Sequence, residues 1–319
     1  MTDPRTAQRA RERDSLAGDA RAGLTTTPKL LPPKWFYDDL GSQIFDKITR
    51  LPEYYQTRAE RSILADHADE IAALLPVDTL VELGSGTSEK TRLLLSAFHR
   101  SGSMKRFVPF DVSEQTLRDA AESIEREYDG IDVQAIVGDF DHDLHSLPTD
   151  SRKLIAFLGG TIGNFAPPER ALFLRNLVAA MRPGDALLLG TDLVKDPDRL
   201  VAAYDDAAGV TAAFNKNVLT VMNRELGANF VLDDFDHRAV WNATEAWIEM
   251  RLRARIEVAV SIPELDLVVA FERGEELRTE ISAKFTEARV RAELASAGLT
   301  LTNWWTDAPG DFALSLATI

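Results

Sequence analysis

The 319-residue chain carries 36 Lys and Arg against 51 Asp and Glu, a net charge of −15, and 45% of its side chains are apolar, 27% charged and 8% aromatic. This composition excludes collagen-like, low-complexity and mostly disordered chains, and the negative surface repels phosphate backbones and anionic lipid. With no cysteine, disulfides, thiolate metal sites and cysteine nucleophiles are excluded together, and no apolar run approaches the ~20 residues that span a bilayer.

Residues 1 to about 28 are polar, mix acids with arginines and lack an apolar stretch, so they read as a mobile or loosely docked arm, with order expected to begin near Leu30, and as neither a secretory nor a transit peptide. A cytoplasmic protein is expected. Phe36, Leu40, Ile44, Ile48 and Leu51 recur at three- and four-residue steps, which predicts helix over 35–51 with a break near Gly41. A second amphipathic helix covers 58–75 and stops at Pro76. From Thr79 a regular alternation takes over: strands at 79–83, 106–111, 133–137, 154–158 and 186–190, with helices at 88–98, 113–128 and 168–181. That order predicts a parallel sheet with helices on both faces. The alternation stops at Asp192. A helical pattern runs from 198 to 226 and places Tyr204 in register with Leu200 and Ala208; the strand-like runs WIEMRLRARIEVAV, LDLVVAFE and LRTEIS follow. A helix near 287–297 and two strands joined around Pro309-Gly310 close the chain, and those strands are expected to form an antiparallel edge. The fold class is therefore α/β. A Rossmann-like domain with a mostly parallel sheet is expected from 61–195 and 285–319. A second, α+β domain is expected from 1–60 and 196–284.

Ligands of such sheets bind outside the carboxyl ends of the strands, where this sequence puts Gly84, Asp111, Asp139 and Asn164. The turn Val81-Glu82-Leu83-Gly84-Ser85-Gly86-Thr87-Ser88 lets backbone approach a ligand at a helix N-terminus. A dinucleotide fingerprint would need glycine at position 89, and Glu89 there would repel a pyrophosphate. A cofactor without phosphates fits better, of which S-adenosylmethionine is the common one; a Gly-rich turn of any α/β protein is the plain alternative. Asp111 can accept both ribose hydroxyls, or serve as a helix cap, a role Ser113 already fills. Asp139 can accept an adenine amino group with Phe140 against the ring, or lie in a surface turn. The five histidines, His142 and His145 included, show no ligand spacing, and no metal is expected.

VELGSGTSEKT, FDVS, VGDFD, FLGGTIGNF and LRTEIS resemble the histidine-specific Nα-methyltransferases of ergothioneine biosynthesis, which convert histidine to its trimethylated betaine, hercynine. The resemblance covers the chain after about residue 28, and GGTIGNF and LRTEIS carry most of its specificity. It implies a Rossmann-like methyltransferase domain and S-adenosylmethionine contacts at Gly84, Lys90, Asp111, Asp139 and Phe140, with S-adenosylhomocysteine as product. It implies substrate contacts at Tyr54, Asn164, Tyr204, Glu280 and Ser282, with Tyr37 close to the reacting amine, so Tyr37 and Asn164 are the candidate catalytic residues.

Each assignment has a physical reading and a plainer one. On a strand, Glu280 and Ser282 share a face with Ile281 opposite, and a carboxylate beside a hydroxyl suits the two nitrogens of an imidazole; an exposed polar face is the alternative. The Asn164 amide could hold the substrate carboxylate, or mark a turn after Gly163. Tyr204 could give a second carboxylate donor, or pack in a core. Met250 could lie on the imidazole, or pack in a core. The expected reaction is in-line attack of a neutral α-amine on the sulfonium methyl. L-Histidine is the expected partner, with no nucleic acid and no membrane, and a monomer is expected. A nucleic-acid methyltransferase is opposed by the charge and by Asn164-Phe165-Ala166-Pro167-Pro168, which lacks the Asn-Pro-Pro-aromatic spacing. A methyltransferase of another amino acid or of protein, and a non-catalytic adenosine-nucleotide module, are the remaining alternatives.

Overall fold

A computed structural model describes residues 15–319 apart from positions 87, 113 and 140–142, so the readings placed on Ser113, Phe140 and His142 lie outside the described residues. Order begins well before the expected Leu30: the described chain opens with helix α1 (15–24), whose Leu16, Ala20 and Leu24 are buried at four-residue steps, and a short strand β1 (Lys29–Leu30). A 3-10 turn (Pro33–Phe36) leads to α2 (Asp39–Ile48). The break expected near Gly41 falls instead at Tyr37 and Asp38, because the Asp38 carboxylate caps α2 by accepting from the Gly41 amide at 2.8 Å. Gly41 sits inside the helix for a different reason: a Cβ there would lie 1.6 Å from the Phe36 carbonyl oxygen. α3 (Gln56–Leu74) follows.

The alternation runs through β2 (Thr79–Leu83), α4 (Thr91–Ser101), β3 (Arg106–Asp111) and α5 (Glu114–Glu127). The single strand expected over 133–137 is two short pieces, β4 (Asp132–Val133) and β5 (Ile136–Val137), each paired with β3. β6 (Lys153–Phe157), α6 (Pro167–Ala179) and β7 (Ala186–Asp192) complete this part. β2, β6 and β7 are buried at every position, as befits strands covered on both faces.

The helical pattern over 198–226 is two helices, α7 (Pro197–Tyr204) and α8 (Val210–Leu226). Continuity fails because the Asp206 carboxylate accepts from the Val210 and Thr211 amides at 3.0 and 2.7 Å and starts α8 afresh; Ala208 therefore lies in the break and shares no helix with Tyr204. β8 (Phe235–Asn242) was not foreseen from the sequence, and most of its residues are only half-buried. β9 (Trp247–Ala254), β10 (Val258–Ile262), β11 (Leu267–Phe271) and β12 (Glu276–Ala283) follow, then α9 (Glu287–Ser296), β13 (Thr300–Thr306) and β14 (Phe312–Thr318).

The chain forms two compact units, one of Met1–Tyr55 with Lys195–Ser282 and a larger one of Gln56–Val194 with Ala283–Ile319. The first piece of the smaller unit ends at Tyr55, ahead of the expected residue 60, because all of α3 belongs to the larger unit. In the smaller unit a sheet of order β1-β12-β9-β8 and the β10-β11 hairpin enclose a core that includes Phe36, Phe214, Phe235 and Phe271. Among the described residues of the larger unit, an eight-stranded sheet has the order β13-β14-β7-β6-β2-β3-β4, with β5 also on β3. Pairing is parallel from β7 to β4, and β14 runs antiparallel to both β7 and β13. The direction of winding reverses between β2 and β6, so this sheet has its switch-point crevice outside their carboxyl ends.

Lys153 and Asp185 anchor the opposite end of that sheet. Their side chains are 0% and 1% exposed and 2.6 Å apart, and Asp185 also accepts from the Lys153 and Arg182 amides. Lys153→Ala is expected to lower the unfolding free energy in urea by about 3–5 kcal/mol, the cost of stranding a buried carboxylate. A loss no larger than that of an exposed pair, about 1 kcal/mol or less, would refute this anchoring role.

Candidate active site

At the carboxyl end of β2 the chain turns so that the Gly84 and Ser85 amides donate to the Phe110 carbonyl at 2.8 and 3.2 Å. The next amide, Gly86, donates to Asp111 Oδ2 at 2.9 Å. Thus the turn and the acid ending β3 are joined. The Gly138 amide donates to the Asp111 carbonyl at 3.0 Å, which brings the segment after β5 alongside, and the Asp139 amide is fixed by Asp143 Oδ2 at 3.0 Å. Gly84, Asp111 and Asp139 therefore lie along one hydrogen-bonded rim.

Behind the rim are two buried carboxylates and one ammonium. Glu82, within β2, bonds the Thr91 hydroxyl at the start of α4. Burial pushes its carboxyl up from 4.5 to about 7. Glu60, on α3, is fully buried; it pairs with Lys90 Nζ and accepts from the Gly159 amide at 2.8 and 3.0 Å through its two oxygens. Gly190 makes room for this carboxylate, since a Cβ there would lie 2.2 Å from Glu60 Oε1. Glu60 was not singled out in the sequence, where it reads as one more charge on an amphipathic helix.

Asn164 ends a 3-10 turn (Thr161–Asn164) that follows β6 and is half-buried. Both flanks of its loop are held: Gly159 by Glu60, and the Phe165 carbonyl by Arg170 Nη1 at 2.8 Å. Arg170 is itself fixed by two bonds to Glu293, 2.6 and 2.8 Å long.

The smaller unit holds the other candidates. The Tyr37 ring packs edge-on against Phe45 and Phe214, with centroids 5.5 and 5.4 Å away. Phe45 also meets Tyr54 at 6.1 Å, and Tyr54 meets Tyr204 at 6.4 Å. The Tyr204 hydroxyl is 2.7 Å from Ser282 Oγ. Ser282 is buried, Glu280 half-buried two positions before it on β12, and Met250 is in the core at 2% exposure. Tyr37, Tyr54, Tyr204 and Ser282 are thus linked in one line, with Phe45 as the connecting ring. Phe45 falls outside the helical spacing that marked the apolar face of α2, and that is why the sequence reading passed over it.

A switch-point crevice, a turn joined to the acid of the next strand and a second acid alongside are the features of the Rossmann-like methyltransferase class. Residues 16–319 match the family described as histidine-specific, SAM-dependent methyltransferases, and the chain belongs to that family. Histidine N-alpha-methyltransferase of Mycolicibacterium smegmatis is 59% identical over 304 residues, covering 95% of this chain and 95% of the relative. The protein of the same name from Mycobacterium tuberculosis is 57% identical over 303 residues, covering 95% and 94%. Ergothioneine biosynthesis protein 1 of Schizosaccharomyces pombe is 34% identical over 242 residues, 72% of this chain and 31% of the relative.

The residues present fit S-adenosylmethionine by their chemistry. Ser85 Oγ is buried without a hydrogen-bond partner among the described residues, which leaves polar capacity at the turn for a ligand. Asp111 and Asp139 would be the acceptors for ribose and adenine donors, and Lys90, already paired with Glu60, would be the cation nearest a ligand carboxylate. No group of three or more His, Asp or Glu among the described residues is placed to hold a metal ion.

The raised Glu82 carboxyl has a measurable consequence. Protonation favours the folded state, so its contribution to stability is full below about pH 4.5 and is lost as pH rises through about 7, a swing of about 3 kcal/mol. Glu82→Gln, neutral at every pH, is expected to gain on the parent protein by that amount between pH 4.5 and 7.5 in urea titrations. Parallel curves for the two proteins would show that Glu82 is not held protonated.

Proposed function

We propose that the enzyme transfers three methyl groups in turn to the α-amino nitrogen of L-histidine, giving hercynine, in the first step of ergothioneine biosynthesis. The observation that carries this reading is the Tyr204–Ser282 contact of 2.7 Å beside Glu280 on β12, in a chain similar over both units to proteins named histidine N-alpha-methyltransferase. The larger unit takes the cofactor through Gly84, Lys90, Asp111, Asp139 and Phe140. The smaller unit takes histidine through Tyr54, Tyr204, Met250, Glu280 and Ser282. Tyr37 and Asn164 attend the amine and the carboxylate. A monomer working in the cytoplasm completes the reading, and the net charge of −15 favours a small zwitterion over a polyanion.

S-adenosylmethionine supplies an electrophilic methyl group on a sulfonium sulfur. The protein's own task is to bind a neutral amine and hold it in line, which can lower a barrier by up to ~7–11 kcal/mol in well-oriented cases. The α-ammonium of a free amino acid lies beside its own carboxylate and is mostly protonated near pH 7, so the proton must leave to solvent before the nitrogen attacks, with Tyr37 orienting it. Glu280 accepts an imidazole N–H. The Tyr204–Ser282 pair can be set in either direction: with Tyr204 donating to Ser282, the serine hydroxyl is the group proposed to meet an imidazole nitrogen; with Ser282 donating, the tyrosine hydroxyl is the group proposed to meet the carboxylate.

Incubation with S-adenosylmethionine and all twenty amino acids in one tube, read by mass spectrometry, is expected to add three methyl groups to histidine alone. Reaction of another amino acid would remove the imidazole assignment, and reaction of none would point to a macromolecular substrate or a binding role. Glu280→Ala is expected to raise KM for histidine about 10- to 100-fold, the worth of one hydrogen bond to a charged group; an unchanged KM would sink the role given to Glu280.

A further inference from the structure

The smaller unit buries a chain of polar side chains that the reaction as described does not use. Asn215 on α8 and Thr279 on β12 are 0% exposed, and the side chain of His237 on β8 is 3% exposed. Such groups are costly in a core unless donors and acceptors match, and here the partners allow one arrangement. The Arg251 carbonyl, which can only accept, lies 3.1 Å from Asn215 Nδ2. The amide nitrogen therefore faces that side, and Oδ1 accepts from Thr279 Oγ1 at 2.6 Å. The other N–H of Asn215 points at His237 Nδ1, 2.8 Å away, so that ring nitrogen is the acceptor. Nε2 then carries the ring proton and donates to the Tyr204 carbonyl at 2.8 Å.

Both ends of this chain finish on substrate candidates. Tyr204 is the last residue of α7, where carbonyls lack partners within the helix, and its hydroxyl meets Ser282. Thr279 immediately precedes Glu280, and its hydroxyl also lies 3.0 Å from the Met250 carbonyl. We infer that His237 is a positioning residue for histidine binding: as a neutral Nε2–H imidazole linked through Asn215 to Thr279, it holds Tyr204 and the Glu280–Ser282 stretch in a single register. The inference rests on Tyr204, Glu280 and Ser282 being substrate contacts.

Burial favours the neutral ring against most of the charge around it. Burial draws the imidazole below its ordinary pKa; Asp205, 3.8 Å from Nε2, and Asp206 pull it upward, and Lys216 adds to the lowering. A doubly protonated ring would set N–H against N–H at Asn215.

Steady-state kinetics of the full-length enzyme test the assignment with His237→Phe, which removes both ring nitrogens, and His237→Gln, which keeps a donor for the Tyr204 carbonyl. His237→Phe is expected to raise KM for histidine about tenfold or more, the scale of a lost buried hydrogen bond, while KM for S-adenosylmethionine and kcat stay within about twofold. His237→Gln is expected to recover most of that loss. Because His237 acts through Tyr204, its replacement should cost far less in a Tyr204→Phe background than in the parent enzyme. Additive losses, or equal losses in kcat and in both KM values, would overturn the inference in favour of a purely structural role. Should His237→Phe fail to fold, Thr279→Val enters the same chain from its other end with the same expected split, and its absence there is equally fatal. If Tyr204→Phe and Glu280→Ala leave KM for histidine unchanged, the substrate reading falls; if they raise it while the His237 variants match the parent, this inference alone falls.

Discussion

Asp192 carries the constraint on which the larger unit depends. That unit is assembled from two pieces of chain separated by the excursion of residues 195–282, and the cut ends must be brought back together before the outer strands can pair. Asp192 sits at the last position of β7, 3% exposed, with Lys284 Nζ at 2.9 Å and Gln56 Nε2 at 3.4 Å. Its carbonyl accepts from the Phe285 amide at 2.8 Å, and the Phe285 carbonyl accepts from Val194 at 3.0 Å. One residue therefore ties the entry, the exit and the re-entry of the chain. From there β14 runs beside β7 in a single register, Phe312 against Asp192 through Thr318 against Ala186. Lys284 is 0% exposed, so either charge left alone would be stranded in the interior, at a cost of about 3–5 kcal/mol.

The same economy of cations marks the cofactor side. Glu60 and Glu82 lie near one ammonium, Lys90, and the imbalance is eased by burial, which shifts the Glu82 carboxyl toward its neutral form, and by the Gly159 amide donating to Glu60. Gly190 belongs to this arrangement, since the space its missing side chain leaves is taken by the Glu60 carboxylate. The loop bearing Asn164 is consequently fixed from α3 at Gly159 and from α6 at Phe165, two helices far apart in sequence.

The strand and helix order of the larger unit was legible because its central strands are short apolar runs ended by glycine or acid, a local signature. LRTEIS was legible as a strand by its alternation. The insertion was harder. Apolar spacing continues through Ala207 and Ala208, and the capping acid at Asp206 that interrupts the helix competes with that pattern; Asp38 does the same ahead of Gly41. β8 was missed because its exposed and half-buried residues leave no apolar run. Of the site, the residues within motifs could be named in advance. Glu60, Phe45, His237, Asn215 and Thr279 could not, because each has an unremarkable neighbourhood along the chain and acquires its meaning only from a partner 30 or more positions away, or from a ring that folding brings beside it.

Histidine as a substrate explains why such partners are worth their cost. Its imidazole, amine and carboxylate are recognised by hydrogen bonds, and a site built on them can reject analogues by roughly 10⁴–10⁵ only if the unmatched groups have nowhere to relax. Side chains that had to be ordered by the ligand would spend about 0.5–1.5 kcal/mol each of the binding free energy. Tyr204 is held at its carbonyl by His237 and at its hydroxyl by Ser282, and Glu280 follows Thr279, which bonds Asn215, so partners within the protein constrain both. On the proposed reading, buried polar groups that would otherwise be a liability in a core hold the donors and acceptors offered to histidine.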